Sequence, residues 1–183
     1  SVYSDNVDGI RKAVRYAHEK GHTRIAFISG APAGVTNKRY EGYEGMLKEL
    51  GIPVREEYYK VSRYRDVKLT KELTAELLTL PEPPTCILMP DDYAGLGGLA
   101  AIREAGLRVP EDISVIGFDG LEYMAHISPR LTTVYQDVKR IGEAAAELLL
   151  KRIDNKEKDT PAKSIKVPVS LIEGETVVPP QKS

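Results

Sequence analysis

The sequence has no tryptophan, two phenylalanines and a single cysteine, and its charges nearly cancel: 26 lysines and arginines against 27 aspartates and glutamates, a formal net charge of -1. Each shortage removes a class of function. Cys86, alone inside the apolar run TCILM, forms neither an internal disulfide framework nor a thiolate metal cluster, which favours a reducing, cytoplasmic setting. No basic run exceeds a few residues, so the chain carries no electrostatic footprint for a phosphate backbone and is not expected to hold DNA by itself. No stretch approaches the roughly 18 apolar residues of a membrane span, and the opening SVYSDNVDG lacks the basic, apolar, small-residue order of a secretion signal. The chain opens on serine rather than methionine and reads as a piece of a longer protein. At 42% hydrophobic and 29% charged residues it has ordinary globular composition, which excludes disordered, collagen-like and coiled-coil readings. A chain of this length buries roughly 70% of its unfolded surface.

Short β-branched runs alternate with longer segments of helical spacing, and turn residues mark each exchange, which is the pattern of an α/β protein. Val7 to Lys20 carries Ile10, Ala13, Val14 and Ala17 at three-and-four spacing, with Asp5 or Asn6 as N-cap and Gly21 as the stop. IAFIS (Ile25 to Ser29) is continuously apolar, as in a parallel strand buried on both faces. A helix over Lys38 to Leu50, a strand over Glu57 to Val61, a helix over Lys68 to Leu80 and a strand over Thr85 to Met89 follow. A helix then runs from PDDY to Gly106, and ISVIGF (Ile113 to Phe118) is the fourth strand. Right-handed crossovers make such a series a parallel sheet with helices on both faces, with ligands outside the carboxyl ends of the strands. The repeat then breaks into a strand over Leu131 to Tyr135, an amphipathic helix over Ile141 to Ile153, a polar linker over Asp154 to Lys163, and the run IKVPVSLI. Pro168 cannot donate to a central ladder, so that run divides into two short strands at a bend or crossover.

The informative loops are therefore GAPAG, SRYRD, PDDY and DGLEY. Arg39 follows the first of them in the opening turn of a helix, where its donor fork suits hydroxyls or a carboxylate; a surface arginine is the plain alternative. Asp91 and Asp92 follow the third strand, and at least one of them serves as N-cap. Asp119 ends the fourth strand, where a carboxylate accepts hydroxyl hydrogen bonds, although Asp-Gly is also an ordinary turn. All four converge on one edge of one sheet, which favours a polar-ligand site. No Ser/His/Asp arrangement, Walker loop or GxGxxG is present, and His18, His22 and His126 have no partners suited to chemistry, so no enzyme, metal or cofactor is expected.

The strings YAHEKGHTRIAFISG, KRYEGYEGMLKELGI, PPTCILMPDDYAGLGGLAAIREAGLRVPEDISVIGFDG and SPRLTTVYQD resemble, in order and spacing, the effector-binding core of the lac-repressor and galactose-repressor family of bacterial transcription regulators. The likeness spans essentially the whole chain, and GLRVPEDISVIGFD followed by LTTVYQD is its most specific part. It implies a periplasmic-binding-protein-like fold of two lobes around a ligand cleft, on a homodimer preceded by a helix-turn-helix head. Residues 1–6 would be a remnant of the N-terminal lobe, 7–132 the C-terminal lobe, 133–168 a crossover, helix and strand of the N-terminal lobe, and 169–183 the return and tail. Crossovers near Ser4 to Asp5, Thr133 to Gln136 and Pro168 would form the hinge. The apolar face of Ile141, Ala145, Leu148 and Leu149, without its partner strands, is expected to be exposed or covered by another chain.

The resemblance also assigns site residues. Arg39 matches the family's ligand-binding arginine, Asp119 the aspartate after VIGFD, Gln136 the crossover glutamine, and Asp91 and Asp92 the cleft pair. Arg65, beside Tyr64, falls where relatives place an aromatic ring, a departure favouring a more polar or anionic effector unless Tyr64 supplies the ring. Leu96 and Ile127 align with the dimer contact; Leu96 as plain core is the other reading. The implied protein is a cytoplasmic regulator whose small polar effector tunes operator DNA binding through a domain outside this chain; no position favours a purine over a sugar, and a sugar or sugar phosphate is preferred on family frequency alone. A periplasmic sugar-binding protein of a transport system is the alternative.

Overall fold

Strands form where apolar residues fill both faces of the sheet, and helices form where apolar residues recur on one side. The computed structural model describes residues 1–154 and 164–181. Its elements are β1 (Val2–Ser4), α1 (Asn6–Glu19), β2 (Ile25–Ser29), α2 (Gly34–Glu49), β3 (Tyr59–Val61), α3 (Val67–Leu78), β4 (Cys86–Leu88), α4 (Asp92–Glu104), β5 (Ser114–Asp119), β6 (Thr132–Gln136), α5 (Val138–Asp154), β7 (Ile165–Val167) and β8 (Val169–Ile172). Short 3-10 turns cover Glu56–Tyr58 and Glu122–His126.

The main sheet has the order β3-β2-β4-β5-β6-β8, parallel throughout except for β8, which pairs antiparallel with β6. Alternation along the strands divides the core in two. Phe27, Cys86, Leu88, Ile116 and Phe118 face Ile10, Val14, Tyr43 and Met46 of α1 and α2. Ala26, Ile28, Ile87 and Val115 lie on the other side with Leu77 and Ile102 of α3 and α4. The GH pair ahead of β2 serves the fold, because the buried His22 ring meets the Thr85 hydroxyl at 2.9 Å and the Val178 carbonyl at 2.8 Å, tying the starts of two strands to the C-terminal tail.

β1 and β7 form a separate two-stranded parallel sheet, against which α5 packs. The chain leaves this small sheet after β7, passes Pro168 and enters the main sheet as β8, so the proline occupies the one position between two ladders. The passages are tied together where the Asp5 N–H donates to the Val167 carbonyl at 2.9 Å and the Asp5 carboxylate pairs with Lys166 at 2.6 Å. Along α5, Val138, Leu149, Leu150 and Ile153 are exposed, as is Ala145, while Ile141 and Leu148 are half-buried. The polar linker expected over Asp154 to Lys163 lies, beyond the helix end at Asp154, outside the described residues.

Most boundaries differ from the sequence reading by one or two residues, Glu57 and Tyr58 of the expected strand Glu57 to Val61 lying in a 3-10 turn, and two helix starts differ by more. α2 begins at Gly34, not Lys38, so Arg39 stands in its second turn rather than its first. Its N-cap, Ala33, has no capping side chain, and the Gly/Ala-rich loop therefore carried no start signal. α5 likewise begins at Val138, placing the passage out of β6 at Asp137.

Helices α3 and α4 approach so closely that a Cβ on Gly97 would lie 2.0 Å from the Val67 carbonyl oxygen, whereas one on Gly95 would make only an ordinary 3.5 Å contact with Met89. Alanine is the better helix former by about 1 kcal/mol, so Gly95→Ala should leave stability unchanged or raised. Gly97→Ala should lower it by about 1–3 kcal/mol, because backbone must move. Urea unfolding of the two variants beside the parent checks this.

Candidate functional site

The carboxyl ends of β2, β4, β5 and β6 bring polar side chains to one edge of the main sheet. At its centre is Arg39, on the inward face of α2 with Gly42, Tyr43 and Met46, one and two turns further along. Only 4% of it is exposed. Its Nε donates to Asn6 Oδ1 at 2.8 Å and its Nη1 to the Pro90 carbonyl at 2.7 Å. The guanidinium carbon lies 3.5 Å from the Phe118 ring centroid and 5.4 Å from that of Tyr64. Burial lowers its pKa from the ordinary value, opposed by the surrounding Tyr64 and Asp119, yet an arginine keeps its proton under any such condition. Nη2 is 3.9 Å from Asp119 Oδ1 and makes no hydrogen bond among the described residues, leaving donors for a ligand.

Asp119 ends β5 in a left-handed conformation, φ 116, followed by Gly120 at φ 72. A non-glycine residue held there costs of order 1–3 kcal/mol and persists only when its surroundings enforce it. Gln136 Nε2, at the end of the neighbouring β6, donates to Asp119 Oδ1 at 2.6 Å. Burial pushes the Asp119 carboxyl up, while Arg39 and the Gln136 hydrogen bond pull it back. Arg39, Asp119 and Gln136 thus form one connected group with donors and an acceptor still open.

Asp91 and Asp92 both make hydrogen bonds within the protein. Asp91 caps α4 through Oδ1, which accepts from the Ala94 N–H at 2.7 Å, while Oδ2 accepts from the Arg65 N–H at 2.7 Å. Asp92, with no exposed surface, accepts the Thr133 hydroxyl at 2.6 Å and the Leu121 N–H at 2.8 Å. Both carboxylates point inward and hold the loops that carry Arg65 and Asp119. Burial lifts the Asp92 carboxyl to about 6, the Thr133 and Leu121 hydrogen bonds opposing it.

Tyr64 lies across the loop after β2: its hydroxyl is 3.1 Å from Thr36 Oγ1, and a Cβ on Gly30 would be 2.3 Å from its ring, so a side chain there would displace the ring. Arg65, at φ 61, is exposed and stands 5.4 Å over the ring of Tyr93. Tyr93 and Tyr123 add exposed rings to this rim. Sequence reasoning missed Asn6, Phe118, Thr133, Tyr93 and Tyr123 as parts of the site. Asn6 presented itself as a helix cap and Phe118 and Thr133 as strand interior, and only the juxtaposition of strand ends gives them a further role.

Leu96 and Ile127 lie apart from this group. Both are half-buried against the second core cluster and both line a groove of about 540 Å³ with Leu99, Arg103 and Pro129. Among the described residues no group of His, Cys, Asp or Glu is arranged to hold a metal ion, and no helix is long and apolar enough to cross a membrane.

Residues 14–177 match the family model of the periplasmic binding protein-like domain. The probable HTH-type transcriptional repressor ExuR of Bacillus subtilis (strain 168) is 37% identical over 158 residues, covering 86% of this chain and 47% of that protein. The chain therefore spans about half the length of such curated relatives. Among solved structures, a LacI family transcriptional regulator from Enterococcus faecium with bound ribose is similar at a TM-score of 0.86 and 28% identity, over 97% of this chain and 65% of that one. The lac repressor dimer bound to operator and an anti-inducer gives 0.87 and 28%, over 97% and 52%.

The raised Asp92 carboxyl sets a pH dependence. Its folded pKa of about 6 exceeds the unfolded 3.8, so the folded protein holds this proton more tightly; the stabilisation is full below the unfolded value and lost as pH rises through the folded one. The unfolding free energy of the parent relative to Asp92→Asn should fall by roughly 2–3 kcal/mol between pH 4 and pH 7. Urea titrations of both proteins at each pH measure it; a flat difference would show that Asp92 does not titrate in this range.

Proposed function

This chain belongs to the periplasmic binding protein-like domain family as found in LacI-type transcription regulators, and from that premise we propose that it is the effector-sensing part of a bacterial repressor. The observation carrying this reading is the convergence of buried Arg39 with Asp119 and Gln136 at the carboxyl edge of the main sheet. Arg39 Nη2 and the free Asp119 oxygen suit the alternating hydroxyls of a small sugar-like effector, and the Tyr64 ring suits its apolar face. Asp91 and Asp92 act behind them, holding the loops.

In this reading residues 7–132 and 169–183 make one lobe. Residues 1–6 and 133–168, with the β1-β7 sheet and α5, belong to a second lobe built largely from sequence outside this chain. Three passages between the sheets, at Asp5, Asp137 and Pro168, are the hinge. An effector bridging the lobes stabilises one orientation, and its differential affinity for the two orientations shifts operator binding by a helix-turn-helix domain carried elsewhere in the polypeptide. The groove at Leu96 and Ile127 is the homodimer surface, consistent with the dimeric state of the similar lac repressor. Such a regulator works in the cytoplasm. The repressor relatives favour it over a periplasmic transport protein and over an enzyme.

Two measurements on the full-length polypeptide test this. In a thermal-shift screen against ribose, galactose, glucose, cellobiose, their phosphates and their uronic acids, Arg39→Lys should weaken the responding sugar roughly ten- to a hundredfold, since a point charge replaces a donor fork. Silence of the parent toward every sugar, or equal binding by the variant, overturns the reading. Leu96→Glu should shift the sedimenting species from dimer to monomer without loss of secondary structure.

A further inference from the structure

Arg65 is a charged side chain on the rim of the site that the hydrogen bonding of the cleft does not use. Its backbone N–H is fixed to Asp91 Oδ2, but its guanidinium has no hydrogen bond or carboxylate partner among the described residues; its neighbour is the face of Tyr93. Other arginines of the surface, Arg55 and Arg108, are neutralised by Glu82 and Asp112.

The backbone makes the position more telling. At φ 61 Arg65 occupies a region that glycine or asparagine adopts at lower cost. In this conformation its N–H donates to Asp91, a carboxylate buried to 2% exposure that also caps α4. A buried acid thus holds a strained residue whose side chain then stands over Tyr93 on the same rim as Asp119 and Tyr123, both of which feel its charge. Stacking on an exposed ring is a weak interaction and uses none of the guanidinium N–H donors. Those donors, in a rigid planar fork, match two oxygens of a carboxylate or phosphate.

We propose that Arg65 is a specificity residue that selects an effector carrying an anionic group, a sugar acid or a sugar phosphate, and takes that group while Arg39, Asp119 and Gln136 take hydroxyls. This rests on the reading of the cleft as a sugar site and adds the charge of its ligand. The buried pair Asp91 and Asp92 does not oppose it, since each carboxylate is already matched by two donors of the protein. Asp119 defines the part of the cleft where the ligand is neutral.

The test is calorimetry on the full-length polypeptide with D-glucuronate, D-galacturonate, D-glucose 6-phosphate and D-ribose 5-phosphate, each beside its neutral parent sugar. At least one anionic member should bind ten- to a hundredfold more tightly than its parent, the range of a charge-assisted hydrogen-bonded pair. The acids and the phosphates separate the two sources of charge. Arg65→Asn, which suits a left-handed backbone, should abolish that preference by weakening the anionic form at least about tenfold more than its neutral parent, and Arg65→Lys should retain part of it. The inference is overturned if the neutral parent binds as tightly as every anionic form, if Arg65→Asn weakens both equally, or if no anionic sugar binds. A neutral sugar bound in an Arg39-dependent way would then leave the sugar-site reading standing; silence toward all sugars would remove both.

Discussion

A single buried guanidinium organises the edge of the sheet. Moving a charge out of water is expensive unless it is hydrogen-bonded and matched in charge, and the surroundings of Arg39 meet that demand from four directions. Asn6 comes from the first passage between the two sheets, Pro90 from the end of β4, Phe118 and Asp119 from β5. Asn6 also donates to the Ser4 carbonyl at 3.0 Å, so the side chain that positions Arg39 is itself anchored to β1. Arg39 is thereby tied, through one side chain, to the segment that leads out of β1.

Around that centre the carboxylates divide their labour by burial. Asp91 and Asp92 are adjacent in sequence at the start of α4, where the helix N-terminus favours negative charge. Because successive residues point in different directions, one reaches the loop carrying Arg65 and the other the loop after β5 and the strand β6. Each fixes a loop, since every oxygen has a donor, although at Asp92 burial still disfavours the charged form. Asp119, less buried and strained at φ 116, keeps an oxygen free. Asp119 is thus the carboxylate whose hydrogen bonding among the described residues is incomplete, while the fully satisfied pair fixes the loops around it.

Much of this was legible in the residues. The strands, the α/β alternation, the stop signals and the break at Pro168 followed from periodicity and turn chemistry, because these depend on neighbours within one element. The convergence of GAPAG, SRYRD, PDDY and DGLEY followed from handedness of the crossovers alone. The start of α2 did not, since Ala33 offers no capping side chain and tertiary packing sets the boundary. The division between Asp91, Asp92 and Asp119 was equally hidden, because it turns on which oxygens meet donors from other strands.

What the sequence by itself determined was the class of fold, the edge at which a polar ligand would meet it, and the residues available there. The fold alone sets the state of each: Arg39 buried and braced by Asn6, Asp92 closed off with its proton held more tightly, Arg65 at positive φ with its guanidinium unpaired among the described residues. The physical reason is one of range. Periodicity, capping and turn preference act over a few residues along the chain. Desolvation and hydrogen-bond satisfaction depend on groups such as Asn6 and Arg39, or Asp92 and Thr133, that the fold alone brings within 3 Å.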